Sequence, residues 1–269
     1  MKLQRGEMVP KLKIGAQLYT VRESMTTADG FHDGLKRIAD MGYTGVQVSA
    51  VAAFQSEVSP QQLRRWLDDL HLECCATHRP WDQLLHRTAD EIAIHREIGC
   101  PYIGIGMAPK ECYEGDLSSW MPFIQALPRL LDQLNEVGID FGFHNHAIEF
   151  QIQGEKRGYD LLINDADQRL QLLLDTYWVV HAGVDLVSMI ENLHGRLKVV
   201  HVKDKSVVKF ETRYAPVGEG NLNWSSILPA LYRTGTEWVV VEQDDCYGED
   251  PYECLRRSYN NLNALLAKN

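Results

Sequence analysis

A chain of 269 residues with a formal net charge of −10 has room for one large α/β domain and carries the wrong sign of charge for gripping a nucleic-acid backbone. Its six cysteines include no CxxC pair, which argues against a zinc ribbon or disulfide framework and for reduced thiols in the cytoplasm. The opening MKLQRGEMVPKLKIG lacks the apolar core of a signal peptide and no later run approaches a membrane span, so a soluble cytoplasmic protein is expected, with one domain over 1–269 behind an N-terminal lead at 1–11.

The first strand is expected over 12–18 (LKIGAQL), and DGLKRIADMGY supplies an amphipathic helix that stops at Gly42. A second strand follows at 45–48. Ser59 then reads as a helix cap, with Pro60 at the first helical position, where its missing N–H costs nothing. The third strand, 72–77, ends at His78; a long helix over 81–99 leads to a fourth strand at 102–105. The segment 106–119 is a loop long enough to suggest a lid, and 120–137 is a helix that Pro128 should kink or divide. The fifth strand, 139–143, opens into HNHAIEF, and a short helix starts near Gly158. The last third repeats one pattern. Strands at 170–174, 197–201 and 238–241 are short apolar runs that end at Asp175, His201 and Glu242, with helices over 185–193, 224–233 and 251–267 between and after them. Eight alternations of strand and helix predict a (β/α)8 TIM barrel closed by right-handed crossovers.

In such a barrel the strands' C-terminal ends form the mouth where catalytic groups converge. Asp175 or Glu242 alone is as well explained as a helix cap, and His201 alone as a satisfied core histidine. Three consecutive units delivering such residues to one mouth make a metal site the better reading. Mixed carboxylate and imidazole ligands suit one divalent ion, Mn²⁺ or Mg²⁺ in preference to Zn²⁺ or Co²⁺. In HNHAIEF, strand alternation would turn His144 and His146 to opposite faces, so only one of them should enter the site. Glu149 would form a carboxylate pair with Glu242 across the mouth, suited to taking a proton from a substrate and returning one. Gln17, Gln47 and His78 are candidates for binding hydroxyls, Lys203 for binding an anionic or carbonyl oxygen, and Trp178 for an apolar wall under a sugar ring. Each of these could equally be a buried group satisfied by the backbone.

The segments KIGAQLYTVRE, FHNHAIEF, LLLDTYWVVHAGVD, VVHVKDK, VGEGNLNW and VVVEQDD together resemble the sugar phosphate isomerase/epimerase family, with its xylose-isomerase-like TIM barrel. The resemblance runs from the first strand to the last helix. It implies a metal held by Glu, Asp, His and Glu from four successive strand ends, the last three matching Asp175, His201 and Glu242. The first is displaced, since the family's fifth-strand glutamate position reads Gly142-Phe143-His144 here, and Glu149 is favoured as the fourth ligand with His144 its competitor. The family includes ketose epimerases, inosose dehydratases and enzymes of 3-keto-glycosides. The expected activity is therefore isomerisation or epimerisation of a ketose or keto-polyol through a cis-enediolate with Glu149 and Glu242 as acid and base. The alternatives are elimination from a keto-inositol or 3-keto-glycoside at the same site, and a non-catalytic sugar-binding barrel. The expected partner is a small sugar or polyol ketone, with no nucleic acid, no membrane and a homo-oligomer as an option.

Overall fold

A computed structural model describes residues 12–268; the expected lead at 1–11 lies outside them. Eight parallel strands form one sheet: β1 (Lys13–Gln17), β2 (Gly45–Val48), β3 (Glu73–His78), β4 (Tyr102–Ile105), β5 (Asp140–His144), β6 (Gln171–Leu173), β7 (Val199–Val202) and β8 (Trp238–Val241). Hydrogen-bonded neighbours run β6-β5-β4-β3-β2-β1-β8-β7. The ring closes between β6 and β7 through the parallel bridge Asp175–His201 and the bond from His201 N to Leu174 O, 2.8 Å. Two of the sequence-predicted ligands thus sit at the seam of the barrel.

The strands are buried on both faces because helices cover the outside and side chains fill the inside. The interior cluster holds Cys75, Ala76, Tyr102, Leu173, Val199, Trp238 and Val240. Two glycines make room for its large rings. A Cβ on Gly142 would stand 1.9 Å from the Tyr102 hydroxyl, and one on Gly45 would stand 2.5 Å from the Trp238 ring.

Local signals explain most of the outer layer. Ser59 Oγ accepts from Gln62 N with Pro60 at the first position of the helix Pro60–Asp69, and Asp250 caps Pro251–Leu266 in the same manner. The expected helix over 81–99 is instead two, Trp81–His86 and Thr88–Ile98, broken at Arg87. Pro128 does not divide its helix, which runs unbroken from Met121 to Asn135 while Leu127, Leu130 and Leu131 bury its inner face. The 106–119 segment contains a helical turn, Glu111–Glu114, and a 3₁₀ turn, Leu117–Trp120.

The loop after β7 holds an antiparallel hairpin, Asp204–Val208 with Glu211–Ala215. Buried Asp204 anchors its root by accepting from the N–H groups of Lys205, Gly218, Gly220 and Leu222 and from Trp224 Nε1. That carboxylate explains VGEGNLNW structurally, since a Cβ on Gly220 would fall 2.2 Å from Asp204 Oδ1. The six cysteines are free and buried. Among the described residues no helix is long and apolar enough to cross a membrane.

Candidate active site

At the C-terminal mouth, His144, Asp175, His201 and Glu242 each present one ligand-type atom, all within 4.8 Å of one another. His144 is the last residue of β5, Asp175 follows β6, His201 lies within β7 and Glu242 follows β8. Asp175 caps the next helix and still faces the cluster. Its Oδ1 caps the next helix by accepting from Trp178 N at 3.1 Å, and its Oδ2 is left for the cluster. Asn145, the residue after β5, supports it, its Oδ1 accepting from Asp175 N at 3.0 Å.

His201 is oriented by Gln47 on β2: Nε2 and Gln47 Oε1 are 2.6 Å apart, both side chains fully buried. An amide oxygen only accepts, so Nε2 carries a hydrogen and, in the tautomer a metal ligand needs, the Nδ1 lone pair faces Glu242 Oε2, 3.0 Å away. Nδ1, Asp175 Oδ2 and Glu242 Oε2 are all buried without a hydrogen-bond partner, as is His144 Nδ1. Lone pairs converging in a dry site repel one another unless a cation lies among them, so the donor set fits a divalent metal.

Lys203 supplies part of the compensating charge. Its buried ammonium stands 3.0 Å from Asp175 Oδ2, 3.0 Å from Glu242 Oε2 and 2.8 Å from Asp244 Oδ1. Only the Asp244 contact has hydrogen-bond geometry; the other two are ion pairs without it. Burial works against the Lys203 charge, but the three carboxylates outweigh it and raise its pKa. Burial likewise pushes Glu242 up, but the Lys203 ammonium leads the opposing influences and the net shift is downward, keeping the carboxylate ionised. The other imidazoles are held neutral, chiefly by burial: His78 falls to about 3, and His144 and His146 are lowered as well.

A cavity of about 760 Å³ opens over the cluster, within the usual range for small-molecule sites. His78, His144, His146, Lys203, Glu242 and Asp244 line it, with Trp81 and Met107 on the wall. Both HNH histidines face it, against the alternation argument. The strand ends at His144, so His146 lies beyond the pleat, its ring 4.8 Å from that of His144.

Glu149 is not brought into the cluster. Its Oε1 accepts from the Tyr113 hydroxyl at 2.6 Å and its Oε2 from His146 N at 2.7 Å, while burial raises its pKa against those hydrogen bonds. Gln17 is fully buried and spends its Oε1 on Tyr19 N. Trp178 is half-buried, its ring 5.3 Å from His146. His78 reaches Ser49 Oγ at 3.4 Å and leaves Nε2 unpartnered. Arg79, at the cavity wall, is bound bidentate to buried Glu91 at 2.7 and 2.8 Å. Asn145, Tyr113 and Asp244 escaped the sequence reading. Asn145 and Asp244 stand inside the motifs HNHAIEF and VVVEQDD, but nothing in the spacing says which way they point.

The family model described as xylose isomerase-like TIM barrel matches residues 35–263. The chain belongs to that family. An inosose dehydratase of Lacticaseibacillus casei is 22% identical over 276 residues, covering 88% of this chain and 90% of the relative. Among solved structures, a sugar phosphate isomerase/epimerase from Parabacteroides distasonis superposes with a TM-score of 0.77 at 21% identity, covering 96% of each chain. The IOLI protein with a bound zinc atom superposes with a TM-score of 0.71 at 15% identity, covering 96% of this chain and 99% of that one. These likenesses carry the barrel fold.

Proposed function

We propose that this protein is a divalent-metal-dependent lyase that eliminates water or an alcohol from a polyhydroxylated ketone, with His144, Asp175, His201 and Glu242 as metal ligands. The observation that carries the reading is the set of four converging buried donors from which Glu149 is left out. Epimerisation by a pair of carboxylates needs a second one across the cavity from Glu242. Glu149 is committed to Tyr113 and His146 N, and Asp244 leaves the same strand end as Glu242 and is engaged by Lys203. Elimination needs only one group that takes a proton and hands it on. The inosose dehydratase relatives and the zinc-bearing neighbour support this choice. Two imidazoles in the ligand set favour Zn²⁺, Co²⁺ or Mn²⁺ over Mg²⁺.

Bound at these residues, a divalent cation supplies Lewis-acid polarisation of a ketone and its neighbouring hydroxyl. His146 lines the cavity and burial holds its imidazole neutral near pH 7, so it takes the proton from the carbon beside the carbonyl. The electron pair released forms the C=C bond as the C–O bond at the next carbon breaks. The imidazolium then returns the proton to the departing oxygen, which leaves as water or an alcohol. His78 and Lys203 orient hydroxyls along the same wall.

The test is NMR of keto-inositols, free ketoses and 3-keto-glycosides incubated in D₂O with the Mn²⁺-loaded protein. Release of water or alcohol with an unsaturated product is expected, along with loss of turnover of at least about 10²-fold in His146→Gln. Deuterated epimers without elimination would replace the reading with an isomerase. A full-length protein that holds no metal by elemental analysis would remove the cation from it.

A further inference from the structure

The cavity extends well past the donor cluster beneath it. His144, Asp175, His201 and Glu242 come from β5, β6, β7 and β8, which are consecutive around the ring, whereas β2 and β3 stand opposite β6 and β7. The cavity crosses to that far side and continues beyond the strands. Phe54, Gln55 and Pro60 line it from the segment after β2, and Gln83, Arg87 and Ile94 from the helices after β3 and the break between them. Ile94 is six residues into the helix Thr88–Ile98, about 9 Å along its axis at 1.5 Å per residue, so this arm follows the outer helical layer. A single ring held by its ketone at the cluster leaves the arm to water.

The lining of the arm is mixed. Arg79 stands where it begins, one residue past His78 at the end of β3. Its Nε and Nη2 are engaged by buried Glu91 and by Gln83, while among the described residues Nη1 has no partner. A guanidinium fixed on two nitrogens and free on the third offers donors at a set position. Trp81, its ring packed on Phe123 with centroids 4.6 Å apart, forms an apolar wall with Phe54 and Ile94. Apolar faces with a few placed polar groups suit a hydroxylated ring, which has both C–H faces and O–H edges. Ala50, also on the lining, holds φ at 55°, a left-handed backbone that a residue with a Cβ adopts only at a cost.

The same lining is unsuited to an anion. Four carboxylates, Asp90, Glu91, Glu242 and Asp244, face three cations, and each cation is already paired: Arg79 with Glu91, Arg87 with Asp90 and Lys203 with Asp244. A phosphate or carboxylate entering the cavity would find every positive group engaged and an excess of negative charge.

We propose that the arm is a subsite for an uncharged second sugar ring, joined through oxygen to the ketone-bearing ring, and that this second ring is the group that leaves. The inference rests on the lyase reading above. The C–O bond that breaks is the one between the ketone ring and the bridging oxygen. That oxygen stays with the second ring and takes the proton that His146 removed, so the second ring departs as an alcohol and no water is consumed.

Calorimetric titration of the protein as purified with methyl glucoside, methyl cellobioside and methyl maltoside tests the arm without turnover. At least one disaccharide should bind about 10-fold or more tighter than the single ring, and cellobiouronic acid should bind more weakly than methyl cellobioside. Ile94→Trp, which fills the arm, and Phe54→Ala, which removes part of its wall, should each bring the disaccharide-to-monosaccharide ratio toward one with an unchanged far-UV spectrum. Equal affinities, no measurable binding of either disaccharide, a preference that both variants keep, or tighter binding of the acid would overturn the subsite. Turnover separates this inference from the reading beneath it. Water release from single-ring keto-polyols with keto-disaccharides left intact would remove the second ring and keep the lyase, whereas selective disaccharide binding with no elimination from any ketone would remove the lyase and keep the arm.

Discussion

Gln47 Oε1 lies 2.6 Å from His201 Nε2, and both side chains are fully buried. The amide therefore decides which imidazole nitrogen faces Asp175 and Glu242. Removing it frees the ring to change tautomer and leaves a buried N–H without an acceptor. Gln47→Leu should lower divalent-ion affinity by about 10- to 100-fold, the usual cost of losing the partner that orients a ligating histidine. Calorimetric titration with Zn²⁺ and Mn²⁺ reads this directly, and unchanged affinity would show that the amide is only packing.

Lys203 is a buried cation among Asp175, Glu242 and Asp244. Lys203→Met leaves three carboxylates facing one another with one compensating charge fewer. The metal-free variant should lose about 3–5 kcal/mol of stability, as when one partner of a buried ion pair is deleted. A divalent ion should then raise its melting temperature by more than it raises that of the wild type. Equal metal-induced shifts in the two proteins would separate the lysine from the cluster.

Glu149 holds the 106–119 segment through Tyr113 and the site through His146 N. Glu149→Gln should cost about 1–3 kcal/mol of stability, because one of its two buried hydrogen bonds loses its acceptor, while metal stoichiometry stays that of the wild type. Loss of the metal in this variant, measured by elemental analysis, would restore Glu149 as a ligand.

His95 is buried away from the site, with Nδ1 2.7 Å from Glu91 O and Nε2 2.7 Å from Thr77 Oγ1. The carbonyl fixes the proton on Nδ1, so Nε2 accepts from Thr77. Burial lowers its pKa from 6.5 to about 4, even though the Glu91 carbonyl and carboxylate favour the charged ring. A lowered folded-state pKa means that the unfolded chain binds the extra proton first. The stability His95 confers is thus complete above pH 6.5 and drains away as pH falls toward about 4, at up to about 1.4 kcal/mol per pH unit. Urea midpoints across this range should fall less steeply for His95→Gln than for the wild type; parallel slopes would contradict the assignment.

The alternation of short apolar runs with amphipathic segments was enough to specify eight strands and their order, because burial on both faces leaves a parallel strand few other compositions. Asp175, His201 and Glu242 were legible for the same reason: a polar residue ending such a run sits at the strand's mouth, which only the barrel makes common to all three. Ser59 with Pro60 marked a helix start through purely local chemistry. Choices among neighbours belonged to the tertiary structure. His144 joins the cluster and Glu149 turns away because β5 ends at His144 and the 3₁₀ turn Ile148–Phe150 carries the carboxylate to Tyr113, 36 residues earlier in the chain. Gln47 and His201 are 154 residues apart, and no spacing announces that one sets the other's tautomer. Periodicity depends on each segment's own exposure to the core, so it can be read along the chain; hydrogen-bond partners depend on which strand ends the closed ring brings together.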